Sequence, residues 1–428
     1  LSVDKDGGST FEIERVIGRE VLDSRGNPTV EVEVYTEFGL GRAIVPSGAS
    51  TGINEVLELR DNERRYNGKG VIRAVNNVNN IISSCIIGMD VRAQRDIDRS
   101  LVELDGTPNK SNLGANAILG VSIAAARAAA NAIDVPLFQY LGGSNAYTLP
   151  VPIMNVINGG QHAGNELSIQ EFHIIPIGTE SFSDSLRMGV ETYHELKNIL
   201  RSSYGAGATN VGDEGGFAPY LTTTSEAFDA IVKAVDNAGY SNEIRLGMDC
   251  AASEFFKDGK YTIDGKVLSS SELIDYYEEL VKSYPIVLIE DPLEQENFDD
   301  FARLTSRLSA TVIVGDDLFV TNTNRLAKGI EMGAANSLLL KLNQIGTISQ
   351  AFDAATLAFR NGYSVVVSHR SGETEDTTIA DVSVALGSEF IKAGAPARSD
   401  RNAKYNQLLR IEEYLGGSAY YKGLTMRG

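Results

Sequence analysis

From residue 244 onward the chain repeats one unit: a short β-type apolar run, a polar residue at its end, then an amphipathic stretch. The runs at 244–248, 286–289, 312–315 and 338–340 end in Asp249, Glu290, Asp316 and Lys341, and Val365-Val366-Val367 leads through Ser368 to His369 and Arg370. With Lys392 as a sixth, the run-ending positions 249, 290, 316, 341, 369 and 392 are spaced 41, 26, 25, 28 and 23 residues apart. A strand, a helix and two loops take about thirty residues, so the spacing fits five βα repeats. The stretches 271–283, 297–308, 323–332, 347–359 and 378–390 supply the amphipathic helices. Alternating strands and helices imply a parallel sheet. Six strands feeding one polar rim with no switch point favour closure into a barrel. The C-terminal ends of barrel strands are where such folds keep their chemistry. Three hard oxygen ligands crowded there call for a divalent cation. Three unrelated surface acids would not each follow a strand in consecutive units.

The part before residue 150 reads differently. Val30, Val32 and Val34 alternate with Glu31 and Glu33, the pattern of a half-exposed antiparallel strand. Asp23-Ser24-Arg25-Gly26-Asn27-Pro28 before it reads as a turn. Helices are expected over 71–87, 90–104 and 114–133, the last rich enough in alanine and glycine for close packing. Gly142-Gly143-Ser144-Asn145, Pro150 and Pro152 mark a boundary. The expectation is an α+β N-terminal domain over 1–148 and an α/β barrel domain over 149–428.

Composition bounds the function classes. A length of 428 residues exceeds one ordinary core. A net charge of −19 argues against nucleic-acid binding, which needs a basic face. An anionic substrate would need local cations to reverse the field. No apolar run reaches membrane-spanning length and no secretory leader is read. Residues 1–10, polar and without an initial Met, read as a tag remnant or a frayed end. Cys85 and Cys250 read as buried, reduced thiols, consistent with a cytoplasmic location.

Several residues are candidates for chemistry. Asp249, Glu290 and Asp316 read as one Mg²⁺ site, and no His/Cys cluster suggests structural zinc. Lys341 follows three leucines, costly to bury unless used; nearby cations would lower its pKa and fit it for general-base work. Gly212-Asp213-Glu214-Gly215-Gly216 and Gln170-Glu171-Phe172 are weak signals alone, although paired carboxylates can split their pKa values. The glycine-rich segment around His162 reads equally as a lid or a surface connection. Pro46 to Gly52 either orders over a ligand or is a turn. Ser368-His369-Arg370-Ser371-Gly372 suits bidentate phosphate binding. His173 and His194 are expected to pack within the fold.

Taken in order, the Asp23–Pro28, Ser47–Gly52, Gly212–Gly216, Leu338–Gly346, Ser368–Thr374 and Lys392–Pro396 segments closely resemble enolase, over essentially the whole chain from about residue 11. The resemblance implies an N-terminal α+β domain and an irregular eight-stranded TIM-like barrel that opens with an antiparallel strand. It implies reversible dehydration of 2-phosphoglycerate to phosphoenolpyruvate through an enolate, in glycolysis and gluconeogenesis: phosphopyruvate hydratase, a carbon–oxygen lyase. Two Mg²⁺ ions are implied. Asp249, Glu290 and Asp316 hold the first; Ser50 contributes to the second, which arrives with substrate. Lys341 would remove the C2 proton, and Glu214, supported by Glu171, would protonate the departing hydroxyl. Arg370 and Ser371 would bind phosphate, and His162, His369 and Lys392 would line the substrate site with Glu171, Glu290, Asp316 and Lys341. A cytoplasmic homodimer or octamer is implied, without nucleic-acid binding or membrane insertion; secondary display at the cell surface is known in the family. The chain ends in Met426-Arg427-Gly428, with no terminal lysine for lysine-binding partners.

Two positions depart from the resemblance: Gln161, where small or acidic residues are common, and His173, where methionine is common. The expectation is altered lid dynamics at the first and simple repacking at the second, with neither touching the core roles. Two competing functions are a superfamily racemase or cycloisomerase, with a different base arrangement, and a scaffold protein using the barrel as a platform.

Overall fold

The computed structural model describes residues 11–49, 52–163 and 165–423, without the side chains of Gln161 and His162. The readings of residues 1–10 and of the last five residues lie outside it.

An antiparallel sheet of order β1–β2–β3 opens the chain, from β1 (Arg15–Leu22), β2 (Pro28–Tyr35) and β3 (Leu40–Ile44). The β1–β2 turn is closed by Asp23, whose Oδ1 accepts from the N–H groups of Arg25 and Asn27 at 2.8 and 2.9 Å. The half-exposed reading of β2 is corrected: both of its faces are buried. Glu31 and Glu33 lie under Arg19, and Glu33 also meets Arg42 at 2.6 Å, so the polar face is covered by guanidinium groups in place of water.

A helical stretch over 72–86 passes through a π turn at Asn77–Ile82, inside the expected 71–87. Helix α1 (Gln94–Asp105) and the almost wholly buried α2 (Ala115–Ala132) follow. Close packing of α2 is real. A Cβ on Gly41 of β3 would lie 1.9 Å from the Ala124 carbonyl oxygen. Only small residues let sheet and helix backbones approach so far.

The remainder is a closed eight-stranded barrel. In chain order its strands are β4 (Val151–Asn158), β5 (Glu171–Pro176), β6 (Ile244–Asp249), β7 (Ile286–Glu290), β8 (Val312–Gly315), β9 (Ser337–Leu340), β10 (Ser364–Ser368) and β11 (Phe390–Lys392). All neighbours pair parallel except around β5, which runs antiparallel to both β4 and β6. Two helices, α3 (Phe182–Tyr204) and α4 (Thr224–Ala238), separate β5 from β6.

After β6 the expected alternation holds, with α5 (Ser270–Ser283), α6 (Phe298–Arg307), α7 (Thr323–Met332), α8 (Ile348–Arg360), α9 (Thr378–Leu386) and finally α10 (Ser399–Leu415). Local signals place the ends. Ser269 and Glu272 form a capping box on α5, and Asn297, Asn322 and Thr347 cap α6, α7 and α8. Helix α9 stops before the expected residue 390 because Gly387 turns left-handed at φ 60° and β11 begins at Phe390.

The burial expectations hold for one residue of each pair. Cys250 is buried as read, but Cys85 is exposed. His173 is fully buried, whereas His194 lies on the exposed side of α3. No single helix among the described residues is long and apolar enough to cross a membrane.

Candidate active site

The antiparallel strand explains how an acid early in the barrel joins acids that end later strands. Because β5 runs backwards, its first residue lies at the mouth where its neighbours finish. Glu171 pairs in register with Asp249, and Asp249 pairs with Glu290. One row of the barrel rim thus carries three carboxylates on β5, β6 and β7. Ser368 pairs with Lys392 on the opposite arc. The residues lining the resulting polar cavity include Glu171, Glu214, Asp249, Asp316, Lys341, His369, Arg370, Ser371 and Lys392.

Two lysines organise the acids. Lys392 Nζ lies 2.8 Å from Asp249 Oδ2, 2.8 Å from Glu290 Oε2 and 3.3 Å from Glu171 Oε1. Burial works against its charge, but Asp249, Glu171 and Glu290 outweigh that and hold it well above the ordinary lysine range. Asp249 is also wholly buried, yet Lys392 holds its carboxyl below the usual range. Burial and the adjacent Asp249 push Glu290 well up. Lys341 Nζ donates to Asp316 Oδ2 at 2.5 Å, and Gln344 donates to Asp316 Oδ1 at 2.7 Å. Burial lowers the Lys341 pKa, but Asp316 more than compensates, so the net displacement is upward. The expected lowering needs charge brought in from outside the chain.

Glu214 sits in the glycine turn closed by Gly212 N–H to Gly216 O at 2.9 Å and Gly215 N–H to Gly212 O at 3.1 Å. Gly215 has φ 84°, which favours glycine. The Glu214 carboxylate accepts from Asn155 Nδ2 at 3.1 Å and lies 3.4 Å from His369 Nε2. Burial holds His369 at about 3, neutral at physiological pH. Its other nitrogen meets Arg401 of α10, which also donates to the carbonyls of Arg370 at 2.7 Å, Ser371 at 2.6 Å and Asp213 at 3.1 Å. Arg370 donates to Glu55 at 2.9 and 3.1 Å and to Asn343 at 2.9 Å, and Ser371 Oγ accepts from Ala49 N–H at 2.7 Å.

The structure therefore gathers the expected Glu171, Glu214, Asp249, Glu290, Asp316, Lys341, His369, Arg370, Ser371 and Lys392 around one barrel mouth. Ser50 and the His162 side chain lie outside the described residues. The sequence reading missed Asn155, Glu55, Gln344 and Arg401, which have no local signal because their partners are remote in the chain. His173 packs within the fold as expected, and it also touches Glu171, with Nε2 3.0 Å from Glu171 Oε2.

The donor set fits a hard divalent cation. Asp249, Glu290 and Asp316 offer only oxygen, and Glu290 Oε1 is buried with no hydrogen-bond partner among the described residues. A tighter acidic group, Asp291, Asp316 and Asp317, has ligand atoms within 4.8 Å of one another. Asp291 there accepts the backbone N–H groups of Asp316 and Asp317 at 2.9 and 2.8 Å. It shapes the turn after β8, and Asp316 is left as the member that faces the cavity.

Carboxylates and lysines at the mouth of a closed barrel, beside an arginine and a hydroxyl, define a metal-assisted acid–base enzyme. Comparison with known proteins gives the family. The enolase C-terminal TIM barrel domain matches residues 146–428 and the enolase N-terminal domain matches residues 13–141. The chain is 64% identical to an enolase of Methanococcoides burtonii over 96% of its length and 97% of that protein's. It is 63% identical to one of Methanosarcina barkeri over 98% and 99%, and 64% identical to one of Methanocaldococcus jannaschii over 96% and 97%. The chain belongs to the enolase family.

Proposed function

We infer that this chain is a phosphopyruvate hydratase. It catalyses the reversible, Mg²⁺-dependent dehydration of 2-phospho-D-glycerate to phosphoenolpyruvate, a lyase reaction of glycolysis and gluconeogenesis. The observation that carries the assignment of roles is that Lys341, Glu214, Arg370, Asp249 and Asp316 line one cavity. Asp249, Glu290 and Asp316 would hold Mg²⁺. A second ion is proposed to arrive with substrate, with Ser50 contributing. The metal supplies charge stabilisation on the substrate carboxylate, whose C2 proton is otherwise very weakly acidic.

Lys341 takes the C2 proton at Nζ. Glu214, oriented by Asn155 and beside neutral His369, gives a proton to the departing C3 hydroxyl, and Glu171 supports it. Arg370 and Ser371 receive the phosphate, with Glu55 giving way at the guanidinium. His162, His369 and Lys392 complete the substrate wall, Lys392 also fixing the acids around it. The domain division at 148/149, a homodimeric or octameric assembly and a cytoplasmic location are proposed with this function.

The test separates base from acid by deuterium incorporation at C2 of 2-phosphoglycerate in D₂O with Mg²⁺. Lys341→Ala is expected to lose both dehydration and exchange. Glu214→Gln is expected to lose roughly 10²–10⁴-fold in dehydration while still exchanging the C2 proton. Exchange surviving in Lys341→Ala, or vanishing in Glu214→Gln with substrate binding intact, overturns the roles.

A further inference from the structure

We propose that Arg401 is a positioning residue that sets the tautomer of His369, so that the ring turns an N–H toward Glu214. Arg401 is the third residue of α10 and is fully buried. Each terminal nitrogen of its guanidinium makes two contacts. Nη2 donates to the carbonyls of Ser371 at 2.6 Å and Asp213 at 3.1 Å. Nη1 donates to the Arg370 carbonyl at 2.7 Å, and its second N–H meets Nδ1 of His369. Three backbone carbonyls thus fix the plane of the fork, and the N–H aimed at His369 cannot turn away without breaking one of those bonds.

A guanidinium has no acceptor to offer. Nδ1 must then accept, because a proton there would set two N–H groups against each other in a buried site. That excludes the Nδ1–H tautomer, and it excludes the imidazolium, which carries a proton on each nitrogen. The state that remains is the neutral ring with its proton on Nε2. Burial opposes the imidazolium independently, holding the His369 pKa at about 3. Nε2 lies 3.4 Å from Glu214 Oε2, and Asn155 Nδ2 lies 3.1 Å from the same oxygen. Oε2 therefore faces two N–H groups and is not the oxygen that carries the transferable proton. In the opposite tautomer Nε2 would bring a lone pair to Oε2 and draw a proton onto it.

The fold makes room for this arginine. Gly394 has φ 90°, and a Cβ there would lie 2.7 Å from Arg401 Cδ and 2.8 Å from the Glu214 carbonyl oxygen. Asp213 adjoins Glu214, and Arg370 adjoins His369, so one side chain fixes the two turns relative to each other. The inference rests on Glu214 acting as the acid, as proposed above.

The experiment reads the imidazole nitrogen resonances of the chain labelled with ¹⁵N-histidine, with Mg²⁺ at neutral pH. It is paired with turnover and C2 exchange of 2-phosphoglycerate. The chain has four histidines, and His369→Gln assigns one set of signals by its loss. The parent is expected to show His369 protonated at Nε2 and unprotonated at Nδ1. A proton on Nδ1 in the parent overturns the proposal before any change to Arg401. Arg401→Met removes the donors and is expected to shift His369 toward the Nδ1–H form. Dehydration should fall roughly 10- to 100-fold. C2 exchange, which depends on Lys341, should persist. Arg401→Lys keeps N–H donors and should retain the Nε2–H form and more of the dehydration rate. If Arg401→Met does not fold, the parent spectrum decides the tautomer and Arg401→Lys decides its link to turnover. An unchanged ring and parent-level dehydration in Arg401→Met, or equal loss of dehydration and exchange, overturns the positioning role. Full dehydration in Glu214→Gln overturns the assignment of Glu214 instead and leaves the tautomer result standing.

Discussion

At the scale of single residues, chemistry was legible where it ends a strand and illegible where it depends on a partner across the fold. Asp249, Glu290, Asp316 and Lys341 announce themselves by position. Glu55 does not, because its partner Arg370 is 315 residues away. His173 packs in the interior as expected, but its contact with Glu171 is not visible until strand pairing puts both inside the barrel. Asp381 of α9 is another acid with no sequence signal. It is buried, and Gln407 donates to both of its oxygens at 3.3 Å. Burial, opposed in part by Arg127, raises its pKa to about 6. An unfolded aspartate titrates near ~3.9. The folded chain therefore binds the extra proton between those values, and stability falls as pH rises through that window. Asp381→Asn removes the penalty. Its thermal midpoint should match the parent near pH 4 and exceed it above pH 6, by up to about 2–3 kcal/mol in stability. A constant difference across that range would show that the Asp381 carboxyl does not titrate as described.

At the scale of elements, the helices that the sequence revealed were placed well because caps and glycines mark them, while α3, α4 and α10 were not read. Helix α7 occupies the expected span and α5 begins one residue early at its capping box. What composition could not reveal was which glycines are structural. Gly26 and Gly41 look alike in the sequence. Gly26 has φ 72° with nothing among the described residues within 4 Å of a would-be Cβ, whereas a Cβ on Gly41 meets the α2 backbone at 1.9 Å. Gly26→Ala should cost only about 1 kcal/mol, from the left-handed backbone. Gly41→Ala must push α2 off β3 and should cost about 3 kcal/mol or more. Urea denaturation of the two variants checks the order, and equal midpoints would contradict the close approach of β3 and α2. Strand β2 carries the same lesson. Alternating Val and Glu suggested a wet face, but Arg19 and Arg42 cover it, and no local pattern encodes a neighbour's guanidinium.

At the scale of the whole molecule, the regular βα spacing was enough to foresee a barrel with its polar rim at one end. The reversed β5 was not readable from spacing and came only from resemblance to the family, because a hairpin at the barrel's opening breaks the period. The rim is also built from both ends of the chain. Ile44 N–H donates to Asp376 across 332 residues, and Ala49 N–H donates to Ser371 across 322. Ser24 N–H donates to the Glu373 carbonyl at 2.7 Å, and Arg398 reaches the Ser24 carbonyl at 3.2 Å. These contacts have an order in time as well as a place. Joining distant segments is the slow part of folding, since loop closure must precede any reward from the contacts it makes. The βα units, each local, can form first. The loop after β10, held from the barrel side by Arg401 and Lys404, gains its remaining anchors when the N-terminal segment docks. On dilution from urea, far-UV circular dichroism should recover in an early phase, and catalytic turnover should return in a later one with the rate of that docking. If both signals return together, the barrel and its clamp assemble in a single step.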